Sequence, residues 1–581
     1  MVTNTFLIIV VFFIIAGVGA LFDRVDADGL SLKSVLRRFW IGFAALIAFL
    51  QFWHFLFPVN WVALLLACLA GAGGWALTFS RQPGWLCEKR SLWLLLGGLA
   101  LLGAPAFLLG NNALFQSPHV DYGLYHLQTV KWFSAYPLVP GLGNLHHRLA
   151  FNHAIFLFGA LLNAGSSLGL GYYLTTNVPA YALILQGALG LIALIRARSV
   201  ISKTEVFMAL ILPAVLWHFS HLPMVGYSAD NLVFIIQVVV IAWLLELFDH
   251  KADLAAFQRQ ARRVLALSAL GIALKLSFAF FALMVTLVVL ALWWTRFRKQ
   301  TVAPFKTMLG WAGLMLVWVA PWLARNVIMS GYLLYPSTFI ALPVKWRMPG
   351  HLADGLTRII TLWARTDSDG IPYTGDLNWF ITWAQRFPYI PRQALLIGVI
   401  VLLLVGVVYL LGRGRLRLAG DLLAVIGISL GAGVSWFISA PDYRFSGALL
   451  FILMVSAFML ALYLPGASSW SDNQRAAAFG LLLLLVFYLS PNNFSNNLSR
   501  GQFLLPASES ALAEAAQPAS GMKQETTLSG LMVYLPSDAE SAECWDYPLP
   551  CTPQPDYFNK LSLIDPHDMA KGFFIPPDDG E

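Results

Sequence analysis

The chain has 581 residues, of which 58% are hydrophobic and only 12% are charged, and its mean hydropathy is +0.70. A soluble protein of this size must cover its surface with polar side chains, so this composition excludes a soluble globular chain and indicates a polytopic membrane protein. The formal charge of +7 does not indicate nucleic acid as a partner, because most Lys and Arg fall in short loops that orient membrane spans. The partner that the composition predicts is the lipid bilayer.

Apolar stretches long enough to cross about 30 Å of hydrocarbon follow one another along most of the chain. Residues 6–22 lack a basic leader and a small-residue cleavage site, so we interpret them as part of a retained span rather than a signal peptide. Residues 151–172 are interrupted by Asn, Gly and Ser, which favours an interfacial or re-entrant segment. A helix at about 262–275 is too short to cross unaided. The predicted spans are 4–22, 39–57, 60–79, 91–110, 174–196, 203–223, 230–248, 278–295, 305–325, 393–412, 419–438, 444–464 and 476–491.

Basic loops between spans are expected in the cytoplasm, and the short loop with Arg81, Lys89 and Arg90 is one of them. The 111–150 loop and both termini then lie outside. The sequence therefore predicts an all-α polytopic membrane protein with about 14 transmembrane helices. Its predicted regions are an N-terminal transmembrane module at 1–110, an outside catalytic loop with interfacial helices at 111–173, central transmembrane helices at 174–327, an outside loop or lid at 328–392, C-terminal transmembrane helices at 393–491 and a small extracytoplasmic tail at 492–581.

A polar, aromatic stretch at residues 119–148 follows the fourth predicted span and holds the principal catalytic candidate, Asp121. A carboxylate at the membrane surface beside an apolar boundary can have a raised proton affinity and serve as a general base. Asp121 also precedes a sequence typical of an amphipathic helix, where it would be an ordinary N-cap. The residues alone leave both roles open.

Charged residues distant in sequence are predicted to reach the same outer face as Asp121. Lys275 interrupts an apolar stretch, and a lysine at that level either binds a lipid phosphate or extends to the interface as a helix-end anchor. Arg325 ends one predicted span and Arg444 begins another, so each is a second candidate for phosphate or a simple anchor. Their convergence favours a site. The residues that share this face are Asp121, Asp230, Lys275, Arg325 and Arg444.

Other polar residues near Asp121 are candidates for substrate binding or for ordinary interfacial roles. His126 and Lys131 are too far out of helical phase to share one stripe. Neighbouring histidines at 146 and 147 point in different directions on regular structure, and no carboxylate follows at ligand spacing. A divalent metal is therefore not favoured, and no cofactor is expected. The candidates for substrate binding are Tyr122, His126, Lys131, Asn144, His146, Asp230 and Asp442.

The predicted tail contains two cysteines, Cys544 and Cys551, in the segment CWDYPLPC. An extracytoplasmic compartment is oxidising, so close cysteines there favour a small disulfide clamp. A metal pair is less favoured because no His or second Cys pair lies nearby in sequence.

The chain resembles the GT-C class of integral-membrane glycosyltransferases, which use polyprenyl-phosphate-linked sugars. The shared features are many spans, an acidic residue in an early outside loop, interfacial or re-entrant helices after it, and the stretch GIALKLS at residues 271–277. The resemblance implies that Asp121 is the base that deprotonates an acceptor hydroxyl. It also implies that Lys275, with Arg325 or Arg444, neutralises the departing lipid phosphate.

A closer resemblance is to a bacterial family of large membrane proteins of unestablished function, which implies no activity. It covers most of the chain. The motifs that carry it are DYGLYH at 121–126, VPGLGNLH at 139–146, PWLARN at 321–326, SGYLLYP at 330–336, APDYRF at 440–445 and CWDYPLPC at 544–551.

The sequence thus predicts a glycosyltransferase that moves a sugar from a polyprenyl-phosphate donor to a glycan, lipid or protein acceptor at the outer face of a bacterial inner membrane. A polysaccharide polymerase or ligase is the first alternative, and its arginines would lie in the large 328–392 loop, as Arg365 and Arg386 do. A lipid or glycan transporter (flippase) is the second. It would need charges at mid-membrane and repeats in the two halves of the chain, and neither is evident.

Overall fold

In the residues that it describes, the computed structural model of the protein is mostly helical and contains three short two-stranded sheets. The predicted span at 476–491 and the tail segment 492–520 lie outside the described residues, except for residue 480. The structure describes residues 2–23, 31–81, 92–112, 120–164, 170–196, 201–221, 226–250, 253–366, 378–411, 419–463, 480, 521–537, 543–553 and 558–576.

Long helices account for most of the described chain. Nine of those in the described ranges are long and apolar enough to cross a membrane, which confirms a multi-pass helical protein, whereas the count of 14 crossings stays a prediction. The helices are α1 (Val2–Ala20), α2 (Leu32–Trp53), α3 (Trp61–Arg81), α4 (Leu92–Asn112), α5 (Leu127–Ala135), α6 (Leu142–Leu145), α7 (Ile155–Asn163), α8 (Leu170–Leu174), α9 (Asn177–Arg196), α10 (Lys203–His221), α11 (Ala229–Asp249), α12 (Leu254–Leu274), α13 (Ala279–Phe297), α14 (Pro304–Ser330), α15 (Gly350–Thr366), α16 (Asn378–Arg386), α17 (Tyr389–Leu411), α18 (Gly420–Ser439) and α19 (Leu449–Tyr463).

Helix α12 corrects the prediction of a short helix at 262–275, since it has 21 residues and begins at Leu254. Its first half contains Gln and Arg side chains, which lower its hydropathy. The search for apolar stretches therefore did not predict this half. The Asp253 carboxylate caps the helix by accepting hydrogen bonds from the amides of Ala255 and Ala256. A helix of this length spans about 30 Å, so it connects the two ends of the bundle and delivers Lys275 to one of them.

Of the predicted interfacial or re-entrant segment at 151–172, the structure describes residues 151–164 and 170–172. Helix α7 has nine residues, too few to cross a bilayer. Its residues from Ile155 to Leu162 are all buried, so it lies inside the protein rather than at the membrane interface. Helix α2 begins at Leu32 rather than at residue 39, because Ser31 and Ser34 form a reciprocal capping box at its start.

Helix α11 forms the centre of the bundle. All of its residues are buried except Asp230, Glu246 and Asp249, which stand in its first turn and near its last. A helix that is apolar around its whole circumference is expected to be surrounded by other helices. The acidic residues of α11 therefore mark the two opposite ends of the bundle.

Glycines allow the N-terminal helices to pack closely. A Cβ atom at Gly19 of α1 would lie 1.8 Å from the carbonyl oxygen of Arg38 on α2, and one at Gly74 of α3 would lie 1.8 Å from that of Gly17 on α1. Small residues at such positions let helix backbones approach each other, which is typical of helices in membranes.

The predicted lid at 328–392 contains an antiparallel hairpin and two helices, α15 and α16. In the hairpin, β1 (Tyr332–Leu334) pairs with β2 (Ser337–Ala341). Helix α14 extends to Ser330, so the lid begins later than predicted, and Gly331 ends that helix with φ of +82°.

The described part of the tail contains two further sheets. Strand β3 (Met522–Thr526) pairs with β4 (Met532–Pro536), with Met522 opposite Pro536 and Thr526 opposite Met532. Strand β5 (Ser562–Leu563) pairs with β6 (Phe573–Phe574). The structure confirms the predicted disulfide between Cys544 and Cys551, with an S–S distance of 2.05 Å.

The disulfide loop at 544–551 is bound to the segment that follows Asp121. The amides of Cys544 and Trp545 donate to the Gly123 carbonyl oxygen at 3.1 and 2.9 Å. The Gln128 side chain donates to the Trp545 carbonyl oxygen at 2.8 Å, and Lys131 forms an ion pair of 2.9 Å with Asp546. The tail therefore supports the region that the sequence analysis identified as the site.

We predict that Gly123→Ala releases the disulfide loop from this segment. A Cβ atom at Gly123 would lie 2.4 Å from Cε2 of the Trp545 indole, so one of the two must move. Overpacking of this kind costs about 1–3 kcal/mol, so the amides of Cys544 and Trp545 should exchange hydrogen at least roughly fivefold faster. Hydrogen exchange measured by mass spectrometry checks this.

The matched control is Gly355→Ala, because a Cβ atom at Gly355 would have no neighbour within 4 Å. That variant should leave the exchange of the loop unchanged. Equal protection of the loop in Gly123→Ala and in the unaltered protein would contradict the predicted release.

Candidate functional site

Six charged side chains from five separate segments meet at one end of the helix bundle. We name them the charged cluster. Each has a side chain between 16% and 32% exposed, so the cluster is half-buried yet reachable from solvent. Its members are Asp121, Arg148, Asp230, Lys275, Asp442 and Arg444.

Asp121 lies immediately before a π-helical turn, Tyr122–His126. Its backbone is helical, with φ of −56° and ψ of −24°, and its side chain makes no capping hydrogen bond. The interpretation of Asp121 as an ordinary N-cap is therefore wrong. Wide helical turns of this kind are rare and frequently mark functional sites, because they redirect the side chains next to them.

Two arginines approach the Asp121 carboxylate from different parts of the chain. Nη1 of Arg148 lies 3.5 Å from one carboxylate oxygen, and Nη1 of Arg444 lies 3.6 Å from the other. Both distances are longer than a good charge-assisted hydrogen bond, which is about 2.8 Å. Asp121 is thus held between two guanidinium groups without a tight bond in either ion pair.

Asp442 fixes the position of Arg444. Its carboxylate caps the short helical turn Tyr443–Ser446 by accepting a hydrogen bond of 2.8 Å from the Arg444 amide, and it lies 3.3 Å from Nη2 of the same residue. Burial lowers the pKa of Arg444, but the carboxylates of Asp442, Asp230 and Asp121 outweigh burial and raise it above its ordinary value. Arg444 is therefore a permanent cation.

Asp230 and Lys275 form the second half of the cluster and make an ion pair. Asp230 stands in the first turn of α11 and Lys275 follows the last residue of α12, so the dipole of each helix stabilises the charge at its end. The Lys275 ammonium also lies 4.0 Å from the centroid of the Phe445 ring. This contact places Lys275 beside the turn that holds Arg444.

Two uncharged groups border the cluster. Burial, and then the Asp121 carboxylate, raise the pKa of Tyr125 well above its ordinary value, so its hydroxyl stays protonated. Burial, followed by the nearby Lys275, lowers the pKa of His153 to about 3. His153 therefore stays neutral at physiological pH.

Arg325 does not join the cluster, which corrects its assignment as a phosphate ligand. Its side chain is completely buried. Its Nε donates to Asn152 Oδ1 at 2.8 Å, its Nη1 lies 2.7 Å from His54 Nδ1, and its guanidinium lies 5.1 Å from the Phe133 ring. A buried cation needs such hydrogen bonds. Arg325 therefore links α14 to the segments that carry His54 and Asn152.

Four predicted substrate-binding residues are instead occupied by contacts with other segments. Lys131 is paired with Asp546. The Asn144 side chain donates to the carbonyl oxygens of Trp346 and Phe573 at 2.9 and 3.2 Å. Tyr122 and His146 are almost fully buried. The structure assigns all four to packing between the site, the lid and the tail.

His126 lies at the edge of the site. Its ring contacts those of Tyr125 and Phe156, with centroid distances of 4.4 and 5.2 Å.

Burial, then Arg148, lowers the pKa of His147 to about 3. Among the residues that the structure describes, no three His, Cys, Asp or Glu side chains gather to hold a metal ion, and the expected absence of a metal stays a prediction.

Arg148 is the residue that the sequence analysis missed. It belongs to the polar stretch at 119–148 but follows two histidines that drew attention to metal binding. The signal that the sequence offers is the position of Arg148 at the end of the same predicted outside loop as Asp121. In the structure, Arg148 stands in a short helical turn, His147–Ala150. A basic residue in the same outside loop as a candidate base is a natural partner for it.

The predicted lid contacts both segments that bring an arginine to Asp121. The Tyr335 hydroxyl donates to the His147 carbonyl oxygen at 2.8 Å, directly before Arg148. The Trp383 indole donates to the Pro441 carbonyl oxygen at 2.6 Å, directly before Asp442. Hydrogen bonds therefore link the predicted lid to both segments that carry the arginines of the cluster.

Comparison with known proteins gives a family without an assigned activity. No curated protein and no solved structure matches the chain. A family model described as a domain of unknown function, DUF8201, matches residues 1–453. Because this match covers most of the chain, the protein belongs to the DUF8201 family.

Proposed function

We propose that the protein is an inverting glycosyltransferase that moves a sugar from a polyprenyl-phosphate donor to a glycan, lipid or protein acceptor. The observation that carries the proposal is the meeting of Asp121 with Arg148, Arg444 and Lys275 at one end of the helix bundle. Transfer from a sugar phosphate needs an activated nucleophile on one side and cations for a leaving phosphate on the other. The charged cluster supplies both kinds of group.

In the proposed reaction, Asp121 accepts the proton of an acceptor hydroxyl. The hydroxyl oxygen forms a bond to the anomeric carbon while the bond from that carbon to the phosphate oxygen breaks. The electron pair of the broken bond leaves with the polyprenyl phosphate, and Arg444 and Lys275 stabilise its negative charge. A single displacement of this kind inverts the anomeric configuration.

The ion pairs of the cluster support an exchange mechanism. Three carboxylates and three cations neutralise one another, so a donor phosphate must compete for its cations. Arg148 and Arg444 are only loosely bound to Asp121, at 3.5 and 3.6 Å. When the phosphate takes Arg444, the Asp121 carboxylate loses a counter-charge and becomes a stronger base.

The proposed location is the outer face of a bacterial inner membrane, with the cluster and both termini on that side. The basic loops at the other ends of the helices support this orientation through the positive-inside rule. The donor's polyprenyl chain would lie in the bilayer while its phosphate reaches the cluster. The lid at 328–392 and the tail would cover the acceptor side, and no resident cofactor is proposed.

We predict that Asp121→Asn reduces sugar transfer by at least 100-fold, because a general base contributes about 10²–10⁴-fold. The measurement is the release of polyprenyl phosphate from a panel of polyprenyl-phosphate sugars by the purified protein in proteoliposomes. The control is Glu525→Gln, which removes a carboxylate of the tail hairpin outside the cluster. Full activity of Asp121→Asn with a responsive donor would refute the assignment.

A second prediction separates Arg444 and Lys275 of the cluster from the buried Arg325. Arg444→Met and Lys275→Met should raise the KM for the lipid donor by about tenfold or more, because each removes a charge-assisted contact of about 1.5–3 kcal/mol. Arg325→Met should instead lower the melting temperature, because it leaves His54 and Asn152 without their buried partner. Arg444→Lys should recover part of the donor affinity. An unchanged KM in Arg444→Met would contradict its role at the phosphate.

A third prediction separates the transferase from a polysaccharide polymerase or ligase. Arg365 donates to the Ile438 carbonyl oxygen at 3.0 Å and its guanidinium lies 5.0 Å from the Trp379 ring, while Arg386 donates to the Arg365 carbonyl oxygen at 2.9 Å. These contacts give both arginines a role in lid packing. Arg365→Met should therefore lower activity less than Asp121→Asn does in the same assay, and the reverse order would favour the polymerase or ligase.

A further inference from the structure

A second polar cavity lies at the opposite end of the helix bundle from the charged cluster. It has a volume of about 380 Å³, within the range of small-ligand sites, and is formed where α2 and α10 begin and α9 and α11 end. On α11, Asp230 of the cluster and Glu246 of the cavity are 16 residues apart, which corresponds to about 24 Å along a helix. The cavity is therefore separate from the proposed transfer site.

Glu246 gives the cavity a carboxylate. Its carboxylate is exposed to the cavity, although the rest of its helical turn is buried. It accepts a hydrogen bond of 3.1 Å from Gln260, and within the described part of the chain no cationic side chain pairs with it. An exposed carboxylate without an ion-pair partner can receive a cationic ligand group.

The nearest basic side chains are already paired with another acid. Arg37 and Arg263 both bind the Asp23 carboxylate, each at 2.7 Å. They contribute to the electrostatic field at Glu246 without forming an ion pair with it. Arg37 also lines the cavity, so a ligand at Glu246 meets the positive charge of Arg37 as well.

The walls of the cavity suit an ammonium group. Trp40 and Trp243 both contribute to the lining, although Trp40 is completely buried and Trp243 is only 5% exposed. Indole rings attract cations, so the accessible part of Trp243 can contribute to binding an amine at Glu246. Gln186, which accepts a hydrogen bond of 3.1 Å from the Trp40 indole, holds that ring in place.

A lysine at the rim of the cavity can bind a negatively charged group of the same ligand. Lys33 forms an ion pair with Glu205 there, and its side chain is 66% exposed. Exposed ion pairs of this kind contribute little free energy, so Lys33 can exchange Glu205 for an anionic group of a ligand. Glu246 inside and Lys33 at the rim thus match a molecule with an ammonium and a phosphate.

We propose that this cavity binds a zwitterionic phosphoethanolamine group, with its ammonium at Glu246 and its phosphate at Lys33. The group can come from a membrane phospholipid or from its water-soluble headgroup. The position of the cavity at the helix ends, where lipid headgroups lie, favours the lipid. This site stands apart from the proposed transferase reaction and does not depend on it.

The test measures binding to the purified full-length protein. Native mass spectrometry compares phosphatidylethanolamine with phosphatidylglycerol, which has the phosphate but no ammonium, and calorimetry measures glycerophosphoethanolamine. We expect phosphatidylethanolamine to bind at least tenfold more tightly than phosphatidylglycerol. Glu246→Gln should remove this preference, whereas Asp253→Asn, which changes a carboxylate at the same end outside the cavity, should keep it.

Binding of glycerophosphoethanolamine with the same dependence on Glu246 supports the water-soluble form as a source, and its failure beside tight lipid binding supports the lipid. Equal binding of the two phospholipids to the unaltered protein would overturn the proposal without any variant. The same conclusion follows if Glu246→Gln retains the preference, or if neither phosphoethanolamine compound binds.

Discussion

The ion pairs of Asp121 with Arg148 and Arg444 are the constraint on which the arrangement of this end of the molecule depends. They join the loop after α4, the turn before α7 and the turn between α18 and α19. Charges at such a half-buried position are costly unless they are paired. Each of these segments must therefore reach the same point for any of them to be stable there. The predicted lid and the tail pack against these segments.

Charge and hydropathy predicted much of this arrangement. The orientation of the spans implied that Asp121, Asp230, Lys275 and Arg444 reach one face, and the structure brings them together. The same reasoning could not separate Arg444 from Arg325, because both stand at the end of an apolar stretch. The difference arises from tertiary contacts, since Asn152 and His54 provide partners that bury Arg325 completely.

Contacts over long sequence distances account for the rest of what the sequence did not reveal. The disulfide was predictable from two close cysteines in a polar tail, yet its attachment to Gly123 was not, because no local pattern specifies a partner more than 400 residues away. The first half of helix α12 escaped prediction for a different reason. This polar half is stabilised by neighbouring helices and an Asp253 cap, which a hydropathy search does not detect.

The balance of charge in the cluster constrains how any anion can bind there. Its three carboxylates and three cations sum to zero, so the resting site does not attract a distant anion strongly. An anion that reaches the site gains only by replacing a carboxylate as the partner of an arginine or lysine. The longest ion pairs are the easiest to exchange, and both involve Asp121. Anion binding at Arg148 or Arg444 would therefore release Asp121 from an ion pair, and in the reaction that we propose this couples the arrival of the donor phosphate to the exposure of the base.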